Sequence, residues 1–218
     1  WDDVFRKFIA ELKQGYTPNP DIFCNKEIKF KLFFNYALSI GFDSISTGHY
    51  AKNIVNEDAQ LHIPKDKNKD QTYFLYTLKE EILKKVHFPL NDLMKDEVKQ
   101  IASDLNLGVS NKKESMGICF IGKRKFSSFV DDYIEPISGP IIDYRTNSQI
   151  GKHNGLSKFT IGQRKGINIG GMKSIDNLPW YVIDKDMNSN SLIVSQDQNP
   201  IYYDGEILLH DFNFINKE

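Results

Sequence analysis

The sequence predicts an α/β domain over its first part and a small all-β unit after it, and three observations predict that order. Apolar residues recur at three- and four-residue spacing in segments closed by glycine. One such helical segment leads into a short β-branched run ending in Gly48-His49-Tyr50, which is the rhythm of an open α/β sheet. From about Ser138 the pattern changes to short alternating runs separated by Gly, Asn and Asp clusters. A boundary is expected near residues 129–138, dividing the chain into 1–128 and 129–202.

The first helix gathers Trp1, Val4, Phe5, Phe8, Ile9 and Leu12 on one face and stops at Gly15. Trp1 already lies inside this pattern, so the chain is expected to begin part-way through a longer protein. Thr17-Pro18-Asn19-Pro20-Asp21 reads as a stiff turn, because each proline drives the residue before it into extended conformations. A second helix is expected over 25–40 with Ile28, Leu32, Phe33, Tyr36, Ala37 and Ile40 facing the core, closed by Gly41. Residues 44–47 form a short strand, and ligands in such sheets sit outside the carboxyl ends of strands. Helices follow over 70–83 and 92–105, the latter with Val98, Ile101, Ala102 and Leu105 inward. Residues 112–117 read as a polar loop, 118–121 as an extended segment and 126–134 as a helix. Strands of the β unit are expected at 141–144, 159–161, 180–183 and 192–194.

The 218 residues are 40% hydrophobic and 26% charged, which supports a packed core and argues against disorder. No apolar run is long enough to cross a bilayer, so no membrane partner is expected. Net charge is −1, so any contact with nucleic acid must come from local clusters such as Lys65–Lys69, Lys112-Lys113 and Lys123–Lys125, which by themselves read as solvated faces. Two cysteines make no disulfide framework, and without a paired spacing they imply no zinc site. By count alone they are small buried hydrophobes in a reducing compartment.

Their surroundings open a second reading. Cys24 follows the Pro20-Asp21 turn at the expected start of a helix, where unpaired amides and the dipole favour a thiolate. Asp21 is either a proton donor and acceptor beside it or the turn and cap residue, and its charge opposes the dipole. Cys119 lies in Ser115–Phe120, flanked by apolar residues and preceded by Gly117, which suits a shielded persulfide and equally a core strand. Lys69-Asp70-Gln71 offers a cation for phosphate and groups for base edges, or a capped helix start. Gly48 permits close approach of a nucleotide, and His49 is a phosphate contact or a structural histidine. Gly162–Gly171 is glycine-rich and basic but fits no phosphate-loop pattern, and reads as a flexible loop.

Taken together, GYTPNPDIFCNKEIKF (15–30), Thr47–Tyr50, NKDQTYFLY (68–76), KKESMGICFIGKRKF (112–126), TIGQRKGINIGG (160–171) and PWYVIDKD (179–186) resemble the tRNA-specific 2-thiouridylases. The blocks are long, ordered and spread over most of the chain. The resemblance implies an adenine nucleotide alpha-hydrolase-like (PP-loop) nucleotide-binding domain, a central β domain and, over 203–218, the start of a C-terminal β-barrel. It implies that ATP, with Mg2+ on its phosphates, adenylates the C2 oxygen of the wobble uridine of a tRNA. Cys119 would carry a persulfide from an upstream sulfur donor, a cysteine desulfurase or sulfur-relay protein, and deliver sulfur to C2. Cys24 would attack the persulfide and leave a Cys24–Cys119 disulfide, with Asp21 as general acid/base. By the same carry-over Asn19, Pro20 and Asp21 line the target base, Gly48 contacts ATP, and His49, Lys69, Asp70 and Gln71 touch tRNA.

The family's Ser-Gly-Gly-x-Asp-Ser phosphate loop has no counterpart string here. The chain is therefore expected to be part of a longer protein and to show no thiolation by itself. Two rivals remain, another PP-loop enzyme that activates a carbonyl with ATP and a non-catalytic tRNA-binding module. Reduced cysteines imply a mitochondrial matrix or other organelle interior, or alternatively bacterial cytoplasm.

Overall fold

The computed structural model describes residues 2–110, 125–169, 178–197 and 212–216. The chain forms two compact units, one of Trp1–Pro18 with Phe120–Leu209 and one of Asn19–Cys119 with His210–Glu218. The expected class holds, with helices and a parallel strand pair in the second unit and an all-β sheet in the first. Among the described residues no helix is long and apolar enough to cross a membrane.

In the unit that holds residues 19–119, a continuous helical rod opens the fold. It comprises α2 (Pro20–Phe23), a π-helical stretch Cys24–Phe33, and α3 (Phe34–Ser39). The rod starts five residues earlier than the expected 25, because the Asn19 side chain caps it and Pro20 fits its first position. It ends as expected at Gly41, whose φ of +95° lets Phe42 N–H turn back to the Ala37 carbonyl. The inward face is Phe30, Phe34 and Ala37, of which only Ala37 was expected from a uniform period of 3.6 residues. Leu32, Phe33, Tyr36 and Ile40 are exposed, since winding to the fifth residue back shifts the phase of everything downstream.

After the rod come β1 (Ile45–Ser46), the hairpin β2 (Lys52–Val55) and β3 (Ala59–His62), α4 (Glu80–Leu83), β4 (Val86–His87) and α5 (Lys95–Asp104). β1 and β4 pair in parallel through Ile45 and Val86, the parallel geometry that the α/β rhythm predicts. The hairpin was not expected; the Asn56-Glu57-Asp58 cluster between two short runs is its signal. The helix expected over 70–83 is broken into a 3-10 turn, Thr72–Leu75, and α4. Asp70 accepts hydrogen bonds from both the amide and hydroxyl of Thr72 (2.9 and 2.7 Å), and this local capture competes with helix propagation. α5 has no buried residue, and Ile101 and Leu105 of its expected inward face are exposed. Phe30, Phe34, Ile45, Leu75, Leu83, Val86 and Phe88 form one core cluster, each large side chain contributing roughly 1.5–3 kcal/mol. The 212–216 segment docks here, with Ile215 against that cluster and Asn213 Nδ2 donating to the carbonyls of Tyr76 and Leu78.

In the other unit, α1 (Asp2–Lys13) packs edge-on against α6 (Phe126–Asp131), Phe5 on Phe129 and Phe8 on Phe126. Four strands, β5 (Ser138–Asp143), β6 (Gln149–Asn154), β7 (Tyr181–Asp186) and β8 (Ser191–Ser195), form a sheet of order β6-β5-β8-β7. Its core holds Ile141, Phe159, Ile167, Val182, Leu192 and Val194. β6 was not expected, whereas residues 159–161, expected as a strand, follow a 3-10 turn at Leu156–Lys158. The glycine-rich segment is a pinned turn where it is described, not a flexible loop. Gly162 N–H and Val182 N–H bond reciprocally with Val182 and Gln163 carbonyls, and Gly162 and Gly166 supply positive φ.

One position in this sheet admits no side chain. Gly139 of β5 faces the Asn190 carbonyl and the His153 ring, both of which an added Cβ would overlap. His153 Nε2–H donates to that carbonyl (3.0 Å) and its Nδ1 accepts from Gly155 N–H (3.2 Å), so burial holds the ring neutral in one tautomer. Gly139→Ala is expected to destabilise this unit by about 1–3 kcal/mol, read as a lower urea midpoint by Trp180 fluorescence; an unchanged midpoint refutes the clash.

Candidate active site

The functional candidates of the second unit converge from three distant stretches of sequence. The first is the start of the helical rod. Asn19 Oδ1 accepts from Asp21 N–H (3.0 Å) and Ile22 N–H (3.4 Å), satisfying two of the amides that a helix start leaves open. Pro20 is buried at the first helical position and Asp21 lies half-buried in the first turn. The capping role open to Asp21 is taken by Asn19.

Cys24 is only 7% exposed and sits within the rod rather than ahead of it. Its N–H already reaches the carbonyls of Asp21 and Pro20. This corrects the expectation of a thiol among unpaired helix-start amides, since the asparagine cap moved the start upstream. The dipole still acts across the first turns, but Cys24's own amide is committed to the helix.

The second stretch follows β1. Gly48 is exposed, and among the described residues an added Cβ there would meet only Leu90 Cδ1, at 4.0 Å. His49 turns inward, 9% exposed, with its ring 5.8 Å from that of Phe30 and edge-on to Phe88 at 6.4 Å. Its Nδ1 lies 3.0 Å from Thr47 Oγ1. Burial, aided by the nearby Lys29 cation, lowers its pKa to about 4. At neutral pH His49 is therefore an uncharged imidazole, which does not supply the cation that a phosphate contact asks for.

The third stretch is Lys69–Phe74. Lys69 ends a 3-10 turn capped by Asp66, a 4%-exposed carboxylate that accepts from Asn68 N–H (3.1 Å) and Lys95 N–H (2.9 Å). Asp70 is exposed and caps the next turn through Thr72. Gln71 forms two bonds with Tyr50, Tyr50 N–H to its Oε1 (3.0 Å) and its own N–H to the Tyr50 carbonyl (2.9 Å). Asn25 Nδ2 donates to the Phe74 carbonyl (3.0 Å). The two amide side chains thus stitch the Asn19–Cys24 turn, the Gly48–Tyr50 strand end and the Gln71–Phe74 turn into one cluster.

Asn25 and Asp66 were missed in the sequence; a polar residue directly beside a candidate thiol was the only signal for the former. Cys119 lies outside the described residues, as do Lys112-Lys113 and Lys123-Arg124. Among the described residues, no group of three or more His, Cys, Asp and Glu could hold a metal ion.

A family model described as the tRNA methyl transferase HUP domain matches residues 1–123, more than half of the chain, and one described as the tRNA methyl transferase PRC-barrel domain matches 127–196. The chain belongs to this family. Within it, the tRNA-specific 2-thiouridylase MnmA 1 of Geobacillus kaustophilus is 50% identical over 219 residues, covering 99% of this chain and 58% of the relative. The tRNA-specific 2-thiouridylase MnmA of Blochmanniella pennsylvanica is 52% identical over 201 residues, covering 91% and 54%. That of Francisella philomiragia is 45% identical over 218 residues, covering 99% and 60%. The chain spans a little over half the length of the curated relatives it matches. In this family the nucleotide-binding HUP domain is followed by the PRC-barrel, the order of α/β and all-β texture found in the sequence.

Proposed function

We propose that the protein to which this chain belongs replaces the C2 oxygen of a tRNA wobble uridine with sulfur, using ATP. The convergence of the Asn19–Cys24 turn with Gly48 and the Gln71–Phe74 turn supports this reading most directly, together with the names of the relatives. A buried thiol, a carboxyl group three residues before it and an open strand end are the parts that such a transfer needs in one place.

The residues present fit an adenine nucleotide at Gly48, where no described residue obstructs close approach at the carboxyl end of β1. ATP, with Mg2+ on its phosphates, supplies activation of the uridine oxygen as a leaving group. Asn19, Pro20 and Asp21 line the base, which an anticodon loop can present splayed out of its stack. Asp21 moves protons. Lys69, Asp70 and Gln71 flank the tRNA, Lys69 as the phosphate cation, whereas His49 contributes as a neutral wall of the strand end. The outer sulfur of a Cys119 persulfide would form the bond to C2 as the C2–O bond breaks and the oxygen leaves as AMP, and attack by the Cys24 thiolate on the Cys119 sulfur would release the thiolated base. A Cys24–Cys119 disulfide results, which a two-electron thiol reductant reopens. A sulfur-donating protein, a cysteine desulfurase or sulfur-relay protein, reloads Cys119. This chemistry belongs in a reducing interior, organelle matrix or bacterial cytoplasm.

The methyl-transfer wording of the family description is the specific observation that favours a second reading. Mass spectrometry of nucleosides from tRNA treated with the full-length protein, ATP and a persulfide donor separates the two. Sulfur in place of oxygen at the wobble uridine is the expected product; an added methyl group, or no change, overturns the proposal.

A further inference from the structure

The amide of Asn25 is bound in an unusual way for a residue that only fills space. It is 2% exposed, with Nδ2 donating to the Phe74 carbonyl at 3.0 Å and Oδ1 buried without a hydrogen-bond partner among the described residues. Leaving a buried carbonyl oxygen unmatched works against stability, and an apolar side chain of similar volume would remove that cost only by leaving the Phe74 carbonyl without its donor, so the amide brings little net stability. What the amide provides is registration. It adjoins Cys24 in the chain and follows Asp21 by four residues, which puts it on nearly the same side of the rod. Its acceptor, Phe74, lies in the same short turn whose first flanking residue, Gln71, holds Tyr50 through two hydrogen bonds. One turn therefore anchors both the thiol-bearing helix and the nucleotide-side strand end, and Asn25 is the side chain that links the former.

We propose that Asn25 is a positioning residue for sulfur transfer, holding Asp21 and Cys24 in register with the Gly48–Tyr50 strand end through the Phe74 carbonyl. The inference rests on the thiolation reading of this turn. A mislaid reacting group costs rate more than affinity, and a displacement of about 1 Å can cost on the order of 10²-fold.

The test uses the full-length protein, wild type and Asn25→Leu, with persulfide-loaded enzyme, ATP and tRNA. Single-turnover thiolation is expected to slow on the order of 10²-fold, with the Kd for tRNA and the melting temperature close to those of wild type, since removal of the unmatched Oδ1 offsets the lost bond to Phe74. A rate equal to wild type overturns the proposal, as does a loss that appears wholly in tRNA affinity. If Asn25→Leu does not fold, Asn25→Ser is measured in the same way and judged by the same two outcomes. A wild-type protein that forms no thiouridine defeats the thiolation reading itself; in that case alkylation of Cys24 in a Cys119→Ser background still reports on the register. There the Asn25→Leu change is expected to alter the Cys24 alkylation rate at unchanged stability, and an unaltered rate overturns the link.

Discussion

Cys24→Ser in the full-length protein is expected to reduce formation of thiolated tRNA by at least about 10³-fold while leaving tRNA binding and folding intact. Cys24 sits inside a helical rod, and its amide is already held by the Asp21 and Pro20 carbonyls. Replacing sulfur by oxygen at a 7%-exposed position removes little packing, so a large loss must be chemical. A serine hydroxyl at neutral pH cannot attack a sulfur–sulfur bond as a thiolate does, which leaves the transferred sulfur without a route of release. The measurement is wobble thiouridine per tRNA by nucleoside mass spectrometry, beside a filter-binding Kd and a thermal melt. Retained turnover would dismiss Cys24 as a participant. Loss of folding together with turnover would make it a packing residue, the plainer of the two roles open to it in the sequence.

The parts of the fold that depend on local chemistry were legible, and those that depend on phase were not. Gly41 announced the end of the rod because a left-handed residue is needed there, and glycine adopts it without strain. The parallel pairing of β1 with β4 followed from the helix-then-strand rhythm. The inward face of the rod was misassigned because ten residues wind as a π-helix, and no residue in Cys24–Phe33 declares a change from 3.6 residues per turn. A separate error, the unread cap at Asn19, placed Cys24 ahead of the helix. Asn19 carried the correct signal, a cap residue followed by proline, but prolines on both sides of it read more readily as a turn. The site blocks were legible as motifs, while their stitching was not. Nothing in sequence tells that the Gln71 side chain, offered as a base-edge reader, is bound to the Tyr50 backbone, or that His49 points inward.

The inward turn of His49 makes the strand end sensitive to acid. In the unfolded chain the imidazole titrates near 6.5, and in the folded unit only at about 4, because protonation would place a charge in the aromatic wall beside Phe30 and Phe88 and near Lys29. Between those values the unfolded state binds a proton that the folded state does not. Stability from this group is thus complete above pH 6.5, falls as pH drops toward 4, and changes no further below it. At about 1.4 kcal/mol per pH unit, the loss amounts to roughly 3 kcal/mol. His49→Gln keeps a polar partner for Thr47 but has no proton to bind, so its stability curve is expected to be flatter by that amount. Hydrogen exchange at Thr47, whose N–H bonds to the His87 carbonyl at 3.0 Å, reads this unit directly. Wild-type exchange there should accelerate between pH 6.5 and 4, relative to the intrinsic rate, by on the order of 10²-fold more than in His49→Gln. Parallel curves for the two proteins would mean that the ring accepts a proton in place and that the strand end beside Gly48 is not held by a neutral histidine.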